Sequence, residues 1–483
     1  MPLQTARHWI DGDWVAEGDI RNTIDVVTGK EHQRYYSGDA DIAERAIFSA
    51  RRAFEHSAWA HQPRQRATAL AELAVAIEAR INEISELIAI ENGKVLAHCI
   101  AETRAAVGEC RYYGGLARAI FGRVAEIDEG KQSIFSQEAV GVASIIVPWN
   151  APSTLLIRSL APALAAGCTV VVKGAHQTAS VNDLYANCIS ECPSIPRGVV
   201  NFVHGEIAVS STMCSHPDVD VVSFTGSSAT GKTIMAAGAA TLKRMLLELG
   251  GKSPAIVFAD ADMDKAVREV ANGIIPHCGQ MCTAVSRVLI EESAWNLFVP
   301  ALVQALQSIE IGDPRAKGVQ MGPLIDTKSA DRFDSDTAEA ANAGETLLAG
   351  SRPGNFPRSN FVTPALYRLH DRRHRLVQEE LFAPVGMLEV FKTEEQAVQS
   401  ANDTRYGLAA SVHTNNEARS KRIARALRSG TVWINCHNRL FAEAETGGFK
   451  ESGLGRLHGL EGLSDFLQTK HVYSEFGRVG ARP

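Results

Sequence analysis

The chain has 483 residues and a formal net charge of -6 at pH 7. At roughly 100–200 residues per domain that length supplies two to four domains, and the slight acidity excludes the basic footprint of a nucleic-acid binder. Hydrophobic residues make up 45% and charged residues 22%, an ordinary globular balance, and no apolar run reaches the roughly 20 residues of a membrane span.

The first residues, MPLQTARHWIDGDWV, carry neither an apolar signal core nor an Arg-rich transit pattern. The nine cysteines are odd in number and scattered, which reads as thiols of a reducing compartment. A cytoplasmic protein without nucleic-acid or membrane partners is expected. Trp9, Trp14 and short β-like runs between 9 and 36 suggest an N-terminal arm. From 63 to 93 the spacing predicts helix: Leu70, Leu73, Ile77, Ile81, Ile84, Leu87 and Ile90 recur at threes and fours, after Pro63 and before Gly93. These residues are read as core.

From about 140 the texture changes to VGVASIIVPWN, CTVVVKGA, GVVNFVHG and VDVVSFTG, separated by helical stretches such as SLAPALAAG. Strand–helix alternation of this kind implies a parallel, doubly wound α/β sheet. Ligands of such sheets sit beyond the carboxyl ends of the strands, which singles out Asn150, Lys173, Gly205 and Gly226. A second alternating region runs from KSPAIVFADAD at 252 to GTVWIN near 435 and is read as a second α/β domain. SDFLQTKHVYSEF is a lone strand without an obvious partner, the kind that pairs with another element or another subunit.

Four stretches carry chemistry. Cys282 in CGQMCTAVSR lies among small and polar residues, and a thiol there is a candidate nucleophile if its pKa and access allow. Glu248 in LLELGGKSP is a carboxylate in an apolar run; desolvation raises its pKa and suits it to general-base work. Asn150 can donate to a developing oxyanion. Each also has a plain structural reading, as an inert core thiol, a helix-end or strand-end carboxylate and a turn residue. Gly226 to Thr233 fits the phosphate loop G-x-x-x-x-G-K-[ST]. A P-loop nucleoside triphosphatase is therefore a rival, weakened because only VFADAD offers a magnesium-holding Asp, and a dinucleotide pyrophosphate on the same helix start explains the glycines as well. His277 and Cys278 beside Cys282 make a poor zinc site, and no metal is expected.

VPWN, CTVVVK, FTGSSATGK, LELGGKSP, GQMC, QEELFAPV and GGFKESGLGR occur in one order across nearly the whole chain. Together they resemble the aldehyde dehydrogenase superfamily. The resemblance implies a Rossmann-like cofactor domain (1–120 and 140–251), a second α/β catalytic domain (252–445) and a small β oligomerisation arm (121–139 and 466–483). It implies a homodimer or homotetramer acting on a small aldehyde with NAD or NADP. It makes Cys282 the nucleophile, Asn150 and the Cys282 N–H the oxyanion donors, and Glu248 the base that activates water. The CoA-acylating branch lacks that glutamate, so a free carboxylic acid is the implied product. Cofactor contacts carried over are Trp149, Lys173, His176, Gly205, Gly226, Ser227, Gly231, Leu249, Glu380 and Phe382.

The sequence departs from the family pattern at three places. His176 stands where NAD-selective members carry a Glu that repels a 2′-phosphate, which leaves NADP open beside NAD. Glu445 and Thr446 replace Pro-Phe before Gly447 and Gly448, and Leu457 replaces a Glu after Gly455 and Arg456. Arg158 stands eight residues after Asn150, as in succinate-semialdehyde dehydrogenases, where the guanidinium holds the substrate carboxylate. Their second Arg is replaced by Pro276. His277, Arg439 and Phe449 are the remaining substrate candidates. The expected substrate is a carboxylate-bearing semialdehyde; a broad neutral aliphatic or aromatic aldehyde is the alternative.

Overall fold

In the computed structural model, which describes residues 5–477, the alternation after residue 140 becomes a doubly wound sheet. Val142–Ile146, Thr169–Lys173, Val200–Val203, Val221–Thr225 and Arg244–Glu248 are mutually parallel. In space they run 244–248, 221–225, 142–146, 169–173, 200–203. The chain starts mid-sheet, winds outward to 200–203, then crosses back and winds the other way. The order therefore reverses between Val142–Ile146 and Val221–Thr225, and the crevice beyond their carboxyl ends is the ligand-binding edge. Asn150 and Gly226 follow these two strands. Helices cover both faces, so the strands are buried nearly throughout, and burial on both sides explains why they read as continuous β-branched runs.

His8–Ile10 and Asp13–Val15 extend this sheet on one side, antiparallel, and Gly453–Leu454 closes the other beside Arg244–Glu248. The last contact brings a late segment of the chain back onto the first sheet. The second sheet runs 345–348, 365–368, 385–391, 285–291, 253–257, 409–413, 431–434 and is parallel except at its first strand. The chain is thus an α/β protein with two open, largely parallel sheets, each with its own apolar core.

The helical run from 63 is two helices, Pro63–Glu78 and Ile81–Asn92, broken at Ala79 and Arg80. Pro63 opens the first at a position where its missing N–H costs nothing. Gly93 ends the second with φ 79°, the left-handed cap that glycine adopts without a Cβ clash. Leu70, Leu73, Ile77 and Ile84 are buried as expected. Ile81, Leu87 and Ile90 are only half-buried, because the break turns the second helix relative to the first.

The tail strand has a partner in its own chain. Leu467–Glu475 pairs antiparallel with Lys131–Ala139 along its whole length, and Arg123–Asp128 completes a three-stranded sheet. Val124, Ile134 and Val472 are cross-strand neighbours and all three are exposed.

Candidate active site

Five elements converge on one cavity of about 640 Å³. Asn150, Arg158, Glu248, His277 and Cys282 all line it, although they are spread over more than a hundred positions of sequence. Asn150 lies just beyond Val142–Ile146 and Glu248 ends Arg244–Glu248. Arg158 comes from the helix Pro152–Ala166, of which every residue but Thr154 is buried. Cys282 follows a short turn, Pro276–Gly279, between the helix Met263–Ile274 and the strand Val285–Glu291.

The turn before Cys282 is tightly shaped. His277, Cys278 and Gly279 have φ of 50°, 56° and 71°, three consecutive left-handed residues, two of which pay a Cβ strain of about 1–2 kcal/mol. A Cβ on Gly279 would lie 2.3 Å from the Ala383 backbone. Gln280 fixes this turn: its side chain donates to the His277 carbonyl at 2.9 Å and accepts from the Ile325 N–H at 2.9 Å, while its own carbonyl accepts from the Asn150 amide at 2.9 Å. Behind Cys282, a Cβ on Gly251 would meet the Cys282 carbonyl oxygen at 2.4 Å. Gly251 in LELGGKSP is thus a clearance requirement of the nucleophile loop, whereas a Cβ on Gly250 would meet the Glu380 carboxylate at 2.5 Å.

The electrostatics of the cavity centre on Arg158. Its Nη2 lies 3.7 Å from Glu248 Oε2, both side chains nearly sealed from solvent, and donates to the Thr225 hydroxyl at 3.3 Å. Arg158 Nε, Glu248 Oε1 and Asn150 Oδ1 have no hydrogen-bond partner among the described residues. Burial pushes the Glu248 carboxyl above the usual carboxylate range, against the pull of Arg158, His458 and Arg456. Burial also pushes the Cys282 thiol up to about 12, with Arg158 the strongest opposing influence and Glu248 adding to the rise. Cys282 rests as a thiol here. Arg158 is thus already paired with a nearby acid, and the acid is Glu248.

Around the carboxyl edge of the first sheet, Gly226 turns the chain into the helix Ser228–Gly238, capped by Ser227, whose hydroxyl accepts from the Thr230 N–H at 3.2 Å. Lys173 is half-buried at the end of the next strand, and burial lowers its pKa. Gly205 lies against Gly38 and Val209, closely enough that a Cβ would clash. Trp149 stands edge-on to His277 at 5.6 Å and to Phe382 at 5.9 Å. Glu380 accepts from the Gly251 N–H at 3.1 Å, and burial pushes its carboxyl up to about 7. His176 is exposed at the start of a short turn, and its pKa is lowered by partial desolvation and by Lys173. This favours the neutral form of the imidazole.

Several expectations are corrected. Gly231 donates its N–H to the Ser227 carbonyl and packs on buried Leu249, where a Cβ would lie 2.5 Å away; both serve helix–strand packing, and the Gly231 N–H is not free for a phosphate. Lys232, the lysine of the phosphate-loop pattern, pairs at the surface with Glu451 at 2.9 Å. Arg439 also lines the cavity, where it is half-exposed and pairs with Glu269 at 3.2 Å. Phe449 is exposed beneath Arg456 and is not among the residues lining the cavity. His277 does line it; burial holds its pKa well below the ordinary value, and neither ring nitrogen has a partner among the described residues. Thr446 and Gly447 line the cavity, while Leu457 is buried and backbone-paired with Thr446.

Sequence reasoning missed Lys94, His98 and Glu102, which line the outer part of the cavity, with Lys94 and Glu102 in a buried ion pair. The pair's i, i+8 spacing across a turn into a helix is no recognisable signal. Thr225, the hydroxyl partner of Arg158, was legible only as the last residue of its strand.

A thiol, a carboxylate and an amide are thus brought together at one cavity beyond a doubly wound sheet, the setting of an enzyme active site. Residues 14–472 match the family model described as "Aldehyde dehydrogenase family", and the chain belongs to that family. It is 36% identical over 474 residues to an aldehyde dehydrogenase of Aspergillus niger, covering 97% of this chain and 95% of that one. It is 35% identical over 474 residues to betaine aldehyde dehydrogenase of Bacillus subtilis, covering 96% of each. Among solved structures, betaine aldehyde dehydrogenase of Staphylococcus aureus in complex with NAD+ superposes with a TM-score of 0.94 at 35% identity, covering 98% of this chain and 95% of that one.

Proposed function

We propose that this protein oxidises an aldehyde to the free carboxylic acid with NAD or NADP, through a thioester on Cys282. The convergence of Asn150, Glu248 and Cys282 on one cavity carries this reading. Cys282 passes its thiol proton through Glu248 to solvent as its sulfur bonds to the aldehyde carbon, and the resulting oxyanion is held by the Asn150 amide and the Cys282 N–H. When bound, NAD or NADP supplies the hydride acceptor that turns this adduct into a thioester. Glu248 then takes a proton from water as the water oxygen bonds to the acyl carbon and the C–S bond breaks. The acid leaves and the thiolate returns.

The residues at the strand ends fit a dinucleotide. The eleven-residue helix Ser228–Gly238 opens at the topological reversal, where the positive end of its dipole suits a pyrophosphate. Gly226 and Ser227 would meet that group, Lys173 and His176 the adenine-side ribose, and Trp149, Glu380 and Phe382 the nicotinamide end. We assign 1–120 and 140–251 to cofactor binding and 252–445 to catalysis. The segments 121–139 and 466–483 are assigned to assembly of a homodimer or homotetramer, with 478–483 outside the described residues. The described cysteines are all free thiols, which supports a reducing, cytoplasmic setting.

For the substrate we favour an aldehyde that carries a carboxylate a few atoms away, of the succinate-semialdehyde type. Support comes from the buried guanidinium of Arg158 in the cavity wall, with donors to spare. One observation favours a second reading, a broad neutral aldehyde: Arg158 already faces Glu248, and the relatives include betaine and general aldehyde dehydrogenases. The test is Glu248→Gln. It should yield one burst of reduced cofactor per site and then stop, and full steady-state turnover would overturn the assignment. A panel of semialdehydes and neutral aldehydes, run with both cofactors, decides the substrate.

A further inference from the structure

Arg158 touches the proposed base itself. The guanidinium has five N–H donors, yet its hydrogen bond to Thr225 is long at 3.3 Å, its approach to Glu248 at 3.7 Å is an ion pair without a hydrogen bond, and Nε is unpartnered. Glu248 keeps one oxygen in reserve: Oε1 is buried without a partner, while the carboxylate lies toward Arg158 and accepts from the Gly448 N–H. Two buried ions held this loosely are poised for exchange, because a second carboxylate in the cavity can take the guanidinium in a bidentate fork that Glu248 does not form. Arg456 also acts on Glu248 from the returning segment, so the base keeps a positive neighbour when Arg158 turns to another anion.

We propose that Arg158 is a positioning residue for Glu248: it holds the base retracted in the resting enzyme and releases it when the carboxylate of an anionic aldehyde takes its place. The charge of the substrate thereby frees the base that hydrolyses its own thioester. This rests on Glu248 as the base, and it makes both substrate readings states of one site, with neutral aldehydes accepted but slow to leave the enzyme as acids.

The test supplies the carboxylate separately. Propanal is turned over at saturating aldehyde with rising sodium acetate, with sodium chloride at equal ionic strength as the control. Acetate should raise the steady phase after the burst by about fivefold and leave the burst amplitude unchanged. Arg158→Met should lose this response and Arg158→Lys should keep part of it. The wild-type measurement decides the matter even if neither variant folds. No acceleration, inhibition by acetate, or an equal acceleration in Arg158→Met overturns the proposal. Full turnover by Glu248→Gln instead overturns the underlying mechanism, so the two failures are distinguishable.

Discussion

The side-chain amide of Asn150 donates to the carbonyl of Gln280 at 2.9 Å, so the proposed oxyanion donor is also a tether for the nucleophile loop. The second amide hydrogen is left for the substrate oxygen. Asn150→Ala should lower kcat by about 100-fold or more, the usual loss for one oxyanion donor. Because the tether goes as well, alkylation of Cys282 by iodoacetamide should change in rate. A variant with wild-type kcat would remove Asn150 from the mechanism.

Gly279 is where the loop is least forgiving. Its φ of 71° and a Cβ position 2.3 Å from the Ala383 backbone leave no room for a side chain. Gly279→Ala should cost about 2 kcal/mol or more, since strain and overpacking add, and should displace Cys282 enough to abolish the burst. Thermal unfolding and burst amplitude measure the two effects. A stable, active alanine variant would show that the 382–384 segment yields freely.

The contrast between these residues and the misjudged ones shows what the sequence could carry. Asn150 and Gly226 follow strands whose β-branched runs, ended by Gly, Pro or a small polar residue, mark strand ends plainly, whereas Glu248 ends the strand RMLLE and was legible only as a carboxylate in an apolar run. Cys282 stands out among nine thiols by its order relative to Asn150 and Glu248, and these three line one cavity. Pairings between distant segments left no such mark. Nothing in the sequence couples Arg158 to Glu248, Arg439 to Glu269, or the tail strand to Lys131–Ala139, because each depends on how two sheets and a three-stranded arm dock. Phe449 was chosen for its motif, but its ring lies under Arg456 outside the cavity. The helix break at Ala79 falls inside an unbroken apolar period, where spacing alone gives no warning.

Glu380 supplies a pH signature. Its folded carboxyl titrates near 7, raised by burial, against an ordinary value near 4.3. A raised carboxyl binds its proton more tightly in the folded state, so its contribution is full below the unfolded value and is lost as pH rises through about 7. Glu380→Gln removes that loss. The melting temperature of the variant relative to wild type, without cofactor, should therefore increase between pH 5 and pH 8. A difference independent of pH would show that Glu380 ionises freely in the fold.

Among the described residues, the three-stranded sheet leaves Leu467–Glu475 with one unpaired edge and carries the exposed row Val124, Ile134 and Val472. An open edge beside an apolar row is a surface that soluble chains cover, and a second copy of the same sheet does so symmetrically. Val472→Asp should shift sedimentation toward smaller species without affecting the burst. A monomeric wild-type protein at micromolar concentration would end the assembly reading.

Cofactor choice turns on the corner around His176. The imidazole is neutral at pH 7, since desolvation and Lys173 both lower its pKa, so it repels neither a ribose hydroxyl nor a 2′-phosphate. Lys173 supplies positive charge, while the Arg21–Glu206 pair at 3.6 Å brings opposite charges that offset one another at His176. NADP should therefore be used beside NAD, and an NAD preference above about 1000-fold, roughly 4 kcal/mol, would refute this. His176→Glu places a carboxylate in the same corner. It should lower kcat/KM for NADP by about 30-fold or more, which is about 2 kcal/mol, while NAD changes little, because only the phosphate carries a charge to repel. If both cofactors lose equally, His176 shapes the loop and does not select the cofactor.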